Sequence, residues 1–295
     1  MADYSIWVLE YASAPHVDMA GVIYGHYDGG SCRMPYSYVV LRSRDHVAMV
    51  DVGYNHAAYG EVLAVRFGAC HWHGPHEALA LCSIRPEDVD TVFITHAHFD
   101  HFGNVEAFPK ARFYIAEREI ERSIWALALP ERMKFLASSI DPADLMKATD
   151  LARAGRLVLV REDLEDVLPG IDLRIALDTH SFASLWVVLR NDRRRDSTDA
   201  WVLAGDLAYV YENIGGMETG AESGGPYLPV GFAVGSQANL VLATEAMLKT
   251  VAYERRRIIP VHEERLKQLF PSRRLAEGLS ICEICLADGE VSRVA

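Results

Sequence analysis

Thr95-His96-Ala97-His98-Phe99-Asp100-His101 decides how this chain is read. Three histidines and one carboxylate fall between His96 and His101, directly after the apolar, β-branched run Val92-Phe93-Ile94-Thr95, which reads as a buried strand. A strand ending in such a cluster presents several ligands from one place, with little chain entropy left to lose on metal binding. Neutral imidazole and carboxylate suit Zn, Fe, Mn or Co, with zinc the default expectation. The plain alternative is a surface loop that happens to be rich in histidine.

Composition narrows the setting. The chain has 295 residues, half of them hydrophobic, enough for a sizeable buried core. Its formal net charge of −12 argues against a phosphate-backbone partner, which needs a basic surface. The start, Met1-Ala2-Asp3-Tyr4-Ser5, has neither a basic segment nor a long apolar one, and no apolar run reaches bilayer length. Five cysteines, an odd count, do not suggest a secreted disulfide framework. A cytoplasmic enzyme acting on a small molecule is expected, with neither membrane nor nucleic acid as partner. A symmetric homodimer is compatible with the sequence.

Outward from the motif, strands are expected at 5–12, 36–42, 47–51, 112–116, 157–160, 173–177, 185–189, 200–204, 257–261 and 280–286. Helical spacing covers 54–67, 237–254 and 263–270, with a short helix start at Arg85-Pro86-Glu87-Asp88-Val89 and a helical turn at 104–108. The region 117–155 is helical and broken at Pro130 and Pro142; its apolar positions, such as Ile120, Ile124, Leu127, Phe135 and Leu136, read as core or lid packing. Arg193-Arg194-Arg195 reads as a solvated hairpin tip, and the Gly- and Pro-rich stretch 213–235 as a loop. Cys70-His71-Trp72-His73-Gly74-Pro75-His76 has ligand-type side chains but no strand before it, and reads as a loop over the site or on the surface rather than a second metal centre. Cys282-x-x-Cys285 has no partner pair and is not expected to bind zinc. Without repeats or a clear linker, residues 1–295 are expected to form one α/β domain, a four-layer αββα sandwich with its site along one edge of the sheets.

His96-x-His98-x-Asp100-His101 resembles the metal motif of the metallo-β-lactamase superfamily, His-x-His-x-Asp-His, with all four positions filled. The resemblance extends to three strand-end residues in the order that superfamily uses: His180, Asp206 and His262. It implies two divalent cations, one on His96, His98 and His180, the other on Asp100, His101 and His262, with Asp206 between them. Such a pair lowers the pKa of a shared water and supplies hydroxide at neutral pH. Asp51 is similar to an aspartate that shapes the metal loop without binding metal, although a purely structural aspartate reads equally well. One departure stands out: the superfamily's usual Gly-His-Thr-Pro-Gly is here Thr179-His180-Ser181-Phe182-Ala183, so the loop shape near the third histidine is open.

Within the superfamily, His98 argues against the di-iron oxidoreductase branch, which tends to carry glutamate there. The lack of a secretory signal argues against a periplasmic β-lactamase. The acidic charge and the lack of an inserted second domain argue against the nuclease branch. Gly205-Asp206-Leu207-Ala208-Tyr209 and the following Val210-Tyr211-Glu212-Asn213 look like the N-acyl-homoserine lactonase group, where the tyrosine donates to the substrate carbonyl oxygen as it gains charge. Tyr209 is then the oxyanion donor, and Asp100 or Asp206 carries the proton to the ring oxygen. The alternatives are a hydrolase of another cyclic ester or amide, such as a pyridoxolactone-like ring, and a thioesterase of the glyoxalase II type. A scaffold that kept the fold but not the chemistry would be expected to lose ligands, and this chain lacks none.

Overall fold

The computed structural model describes residues 2–295. Thirteen strands form two sheets, and the strand ends that face each other carry the histidines and aspartates. The strands are β1 (Ser5–Asp18), β2 (Ser31–Arg42), β3 (Val47–Val50), β4 (Thr91–Phe93), β5 (Arg112–Ala116), β6 (Leu157–Val160), β7 (Leu164–Leu168), β8 (Ile171–Leu177), β9 (Ala183–Arg190), β10 (Ala200–Leu203), β11 (Ile258–Ile259), β12 (Ser272–Ala276) and β13 (Leu279–Cys285). The larger sheet runs β12-β13-β1-β2-β3-β4-β5-β6; the smaller runs β11-β10-β9-β8-β7. Parallel pairing holds from β3 through β6 and between β10 and β11, and the other neighbours are antiparallel. The parallel strands are short, and the central one, β4, is buried along its whole length, as a strand covered on both faces must be.

Helices pack against both sheets: Gln237–Thr250 against β8 and β10, Pro142–Arg153 against β6, and Glu117–Leu127 against both β5 and β9. The mixed α/β architecture with two facing sheets is as expected, and the apolar side chains of the two sheets join in one cluster that includes Trp7, Leu9, Phe93, Phe113, Leu185 and Val187. The breaks at Pro130 and Pro142 fall where the sequence puts them. Pro142 takes the first helical position, where its missing N–H costs nothing, and Asp141 caps Ala143 N at 2.8 Å.

Several elements differ from the sequence reading. β1 runs on to Asp18 and β2 begins at Ser31, because the hairpin continues as an arm whose pairs, Ala14 with Met34 and Asp18 with Ser31, are held by backbone bonds. Pro15, His16 and Asp18 there are exposed, so no alternation marks the strand. β7 was not anticipated: it is an edge strand whose exposed Glu165 and Asp166 carry ion pairs to Arg195 instead of an apolar face. β12 is likewise an exposed edge. The helix expected at 263–270 shrinks to Leu266–Leu269, and the strand at 257–261 to Ile258–Ile259. All five cysteines are free, Cys282 and Cys285 included.

The Gly-rich stretch 213–235 is a loop, and it is fastened. Buried Arg255 donates to the carbonyls of Ile214 (3.1 Å), Glu218 (2.6 Å) and Gly220 (3.0 Å). Asn213 donates to Val22 O and Leu228 O, Tyr24 N to Pro229 O, and Phe232 N to Gly21 O. The loop is thereby zipped to the tip of the β1–β2 arm. Among the described residues no helix is long and apolar enough to cross a membrane.

Asp144 lies buried in the helix Pro142–Arg153 with neither carboxylate oxygen accepting a hydrogen bond. Burial, and then the neighbouring Asp141, push its carboxyl up to about 7. The folded chain holds this proton more tightly than the unfolded one, so stability from this group is full below pH ~4 and is lost as pH rises to ~7. Asp144→Asn should therefore raise the melting temperature by a few degrees at pH 8, on the order of 2–4 kcal/mol, and leave it nearly unchanged at pH 4.5, as read by paired thermal denaturations.

Candidate metal centre

The chain that leaves β3 turns at Asp51, whose φ of +64° is a left-handed value that aspartate tolerates better than most side chains. That turn aims its carboxylate at the end of β4. Thr95 N and Thr95 Oγ1 donate to Asp51 at 2.7 and 2.9 Å, and His101 Nδ1 donates to Asp51 Oδ2 at 2.7 Å. The next residues, His98 to Phe102, fold into a single helical turn that swings Asp100 and His101 back beneath the strand end. Gly103 follows because a Cβ there would lie 2.5 Å from Asn55 N.

The other three side chains arrive from the smaller sheet. His180 sits in the turn between β8 and β9. Its loop keeps a tight form without the superfamily's glycines: Asp178 takes φ +49°, its N–H reaches Phe182 O, and Thr179 N reaches Ser181 O. Asp206 stands in the turn Gly205–Leu207 after β10, where Gly205 has φ +52° and a Cβ would meet Thr95 at 2.7 Å. His262 follows β11.

All seven sequence-predicted side chains converge, none more than 8 % exposed. They form two groups, His96–His98–His180–Asp206 and Asp100–His101–His262, each with ligand atoms within 4.8 Å of one another. Asp206 faces both. Its Oδ2 lies 3.1 Å from His180 Nε2 and 3.5 Å from His96 Nε2; its Oδ1 lies 3.2 Å from His101 Nε2 and 3.3 Å from His262 Nε2. His98 turns its Nδ1 inward, 3.0 Å from His180 Nε2, and Asp100 Oδ2 is 3.3 Å from His101 Nε2.

These spacings fit cations. Two nitrogens or oxygens about 2.0–2.1 Å from one tetrahedral ion stand about 3.3 Å apart. His96 Nε2, His101 Nε2 and Asp206 Oδ1 are moreover buried without any hydrogen-bond partner, a state that folded proteins rarely leave unfilled. Four imidazoles have their outer nitrogens fixed: His96 Nδ1 on Thr95 Oγ1 (3.0 Å), His101 on Asp51, His180 on Phe232 O (2.7 Å) and His262 on Pro35 O (2.7 Å). An Nδ1–H held by an acceptor leaves the Nε2 lone pair turned toward the centre, as a ligand requires. Asp51 thus shapes the site from behind, in the supporting role given to it above. The residues are positioned for two metal ions; which metal they take is not fixed by this His/Asp set.

The electrostatics agree. Burial, then the neighbouring imidazoles, keep His96 well below the usual histidine range, and burial with His180 pushes His98 down to about 3. Burial would lower His101 too, but the carboxylates of Asp206, Asp100 and Asp51 outweigh it and hold that ring well above. Burial, then Asp206 and Asp100, hold the Tyr209 phenol above its ordinary value.

Tyr209 stands edge-on over both groups, its ring centroid 4.9 Å from His262 and 5.6 Å from His180. It closes one side of a cavity of about 160 Å³ whose walls are Val17, Met34, Tyr36, Phe67, Phe99 and Phe232, and whose floor is His98, Asp100, Asp206 and His262. The Cys70–His76 loop takes no part in the cluster. Cys70 bridges to Ser13 of β1, His73 holds Glu77 and Glu277 O, and Trp72 donates to Tyr54 O at 2.9 Å. Arg193, Arg194 and Arg195 pair with Asp3, Asp196 and Asp166, as a solvated tip does. Sequence reasoning missed Thr95 as a link, the carbonyls of Phe232 and Pro35, and Glu119. Carbonyls carry no sequence signal, and a single glutamate in the first turn of a helix looks like any other.

The sequence model described as the metallo-beta-lactamase superfamily matches residues 30–253. The N-acyl homoserine lactonase AiiB of Agrobacterium fabrum is 24 % identical over 191 residues, covering 62 % of this chain and 66 % of that protein. Its namesake from Rhizobium rhizogenes is 26 % identical over 158 residues, covering 54 % of each. The chain therefore spans about half to two thirds of the length of these relatives. Among solved structures, a quorum-quenching N-acyl homoserine lactone lactonase superposes with a TM-score of 0.61 at 20 % identity, over 91 % of this chain and 96 % of that one. The hydrolase AbOPH superposes at 0.63 and 16 % identity, over 97 % and 95 %. At these identities the superpositions speak for the fold.

Asp51→Asn should weaken metal binding about 10- to 100-fold by removing the carboxylate behind His101, while leaving the far-ultraviolet circular dichroism unchanged; competition titration against a chromophoric chelator measures it.

Proposed function

This chain belongs to the metallo-beta-lactamase superfamily, and on that premise we propose that it is a dinuclear metal-dependent hydrolase that opens the ring of a small uncharged lactone, an N-acyl-homoserine lactone or a close analogue. The observation that carries the reading is Tyr209 standing over both halves of the His/Asp cluster at the floor of a small apolar cavity. The lactonase relatives support it.

His96, His98 and His180 would hold one cation, Asp100, His101 and His262 the other, and Asp206 both. When bound, such a pair supplies Lewis acidity for a carbonyl and a deprotonated water at neutral pH. The remaining work falls to the chain. The cavity wall offers no Lys, Arg or free carboxylate outside the cluster, so it favours an uncharged substrate. Its volume of about 160 Å³ suits a small ring with a short substituent. The Tyr209 hydroxyl, protonated throughout the neutral range, donates to the carbonyl oxygen as it takes on negative charge. Asp100 and Asp206 line the same floor and can take the proton of the attacking water and return it to the ring oxygen as the C–O bond breaks. Water adds across the ester, and one hydroxy acid leaves.

A second reading, an aromatic cyclic ester, is favoured by one feature: Phe67 and Phe99 stack at 5.6 Å and 16°, and Phe232 stands edge-on to Phe67, so three phenylalanine rings line one pocket.

A kinetic panel of acyl-homoserine lactones, aromatic lactones, cyclic amides and S-lactoylglutathione, run on protein of known metal content, tests the proposal. The expected result is hydrolysis of acyl-homoserine lactones, lost on chelation and restored by metal. Tyr209→Phe should lower kcat/KM about 100-fold on the best lactone with metal content unchanged. Turnover confined to thioesters or cyclic amides, or an inert Tyr209→Phe, contradicts the reading.

A further inference from the structure

Glu119 is a fully buried carboxylate, 1 % exposed, that does not belong to the ligand set. It sits in the first turn of the helix Glu117–Leu127, the helix that touches both sheets. Each of its oxygens accepts one backbone N–H: Oε1 from Ala97 at 3.0 Å and Oε2 from Ala183 at 2.7 Å. Ala97 lies between His96 and His98, at the end of β4 in the larger sheet. Ala183 is the first residue of β9 in the smaller sheet, three residues after His180. One side chain therefore joins the two backbone segments that carry His96, His98 and His180.

That junction matters because this half of the ligand set is split across the seam between the sheets. At its base the seam is pinned by a backbone bond, Leu185 N to Thr95 O at 2.7 Å. Nearer the ligands His98 Nδ1 and His180 Nε2 meet across the seam at 3.0 Å, within hydrogen-bond distance of each other. The other half is supported elsewhere, by Asp51 on His101 and Pro35 O on His262, and neither of these touches Glu119. The superfamily's two glycines around the third histidine are replaced here by Thr179 and Ala183, and the Ala183 N–H is one of the two that Glu119 takes up.

We propose that Glu119 is a positioning residue: it sets the spacing of His96 and His98 against His180, and so the affinity of that half of the site for its cation, independently of the Asp100–His101–His262 half. The inference rests on the two-cation reading of the site. The chemistry requires an acceptor on both oxygens. A carboxylate supplies them, whereas an amide of the same volume has one acceptor and turns an NH₂ toward the second N–H. Glu119→Gln thus breaks one arm of the clamp with no change of size.

The test is stepwise titration of metal-free protein with Zn2+ against a chromophoric chelator, together with the visible spectrum of the Co2+-loaded protein. Wild-type chain is expected to take up two ions. Glu119→Gln is expected to bind one with affinity within about threefold of wild type and the other 10- to 100-fold more weakly, with the Co2+ bands of one site altered and those of the other unchanged. Equal weakening at both sites, or at neither, overturns the proposal, since a merely structural role would not single out one ion. Should the metal-free variant be unstable, the Co2+ spectrum of folded, fully loaded protein still decides: bands identical to wild type at both sites overturn it. A wild-type chain that takes up fewer than two ions removes the two-cation premise, a result separable from failure of the Glu119 assignment itself.

Discussion

Asp206 is a buried carboxylate with four imidazole nitrogens within 3.1–3.5 Å of its two oxygens, and the rest of the molecule is arranged around making that tolerable. Burying a carboxylate costs several kcal/mol unless positive charge comes to it. The chain meets the problem by fixing every outer nitrogen it can. Thr95, Asp51, Phe232 O and Pro35 O set four of the rings, and Glu119 binds the backbone between the sheets. The inner faces are left to whatever positive charge the site takes up.

The outline of this site was legible because ligands at strand ends leave a local trace: an apolar β-branched run, then histidine or aspartate. That trace is dense at Val92–His101 and thin at His180, Asp206 and His262, where only the order of a known superfamily gave single residues meaning. The supports were not legible. Two are backbone carbonyls. Glu119 is one acid among 41 acidic residues, and its role appears only when β4 and β9 are brought together. The same division runs through the fold. Apolar strands such as β5, β6 and β9 announced themselves, whereas the β1–β2 arm, β7 and β12 are exposed stretches held by backbone pairing and ion pairs. The loop around His180 was open in the sequence because its glycines are missing; the structure makes the turn with Asp178 at φ +49° instead.

The cavity draws its lining from several parts of the chain. Its floor is strand-end residues locked into the core, while its walls include the hairpin arm (Val17, Met34) and the 213–235 loop (Phe232) beside Phe67 and Phe99. Phe232 belongs to both: its carbonyl orients His180 and its ring walls the cavity. The arm and the loop are bound to each other through Asn213, Tyr24 and Gly21, so a change in either would carry to the ring that lines the cavity and to the histidine behind it. This couples the shape of the cavity to the geometry of one half of the site.

The central claim is that seven side chains hold two cations with Asp206 between them. Anomalous diffraction at the zinc absorption edge, from crystals of the zinc-loaded chain, tests it most directly. Two peaks are expected, one among His96, His98 and His180 and one among Asp100, His101 and His262, each within bonding distance of an Asp206 oxygen. A single peak, or peaks away from Asp206, would contradict it.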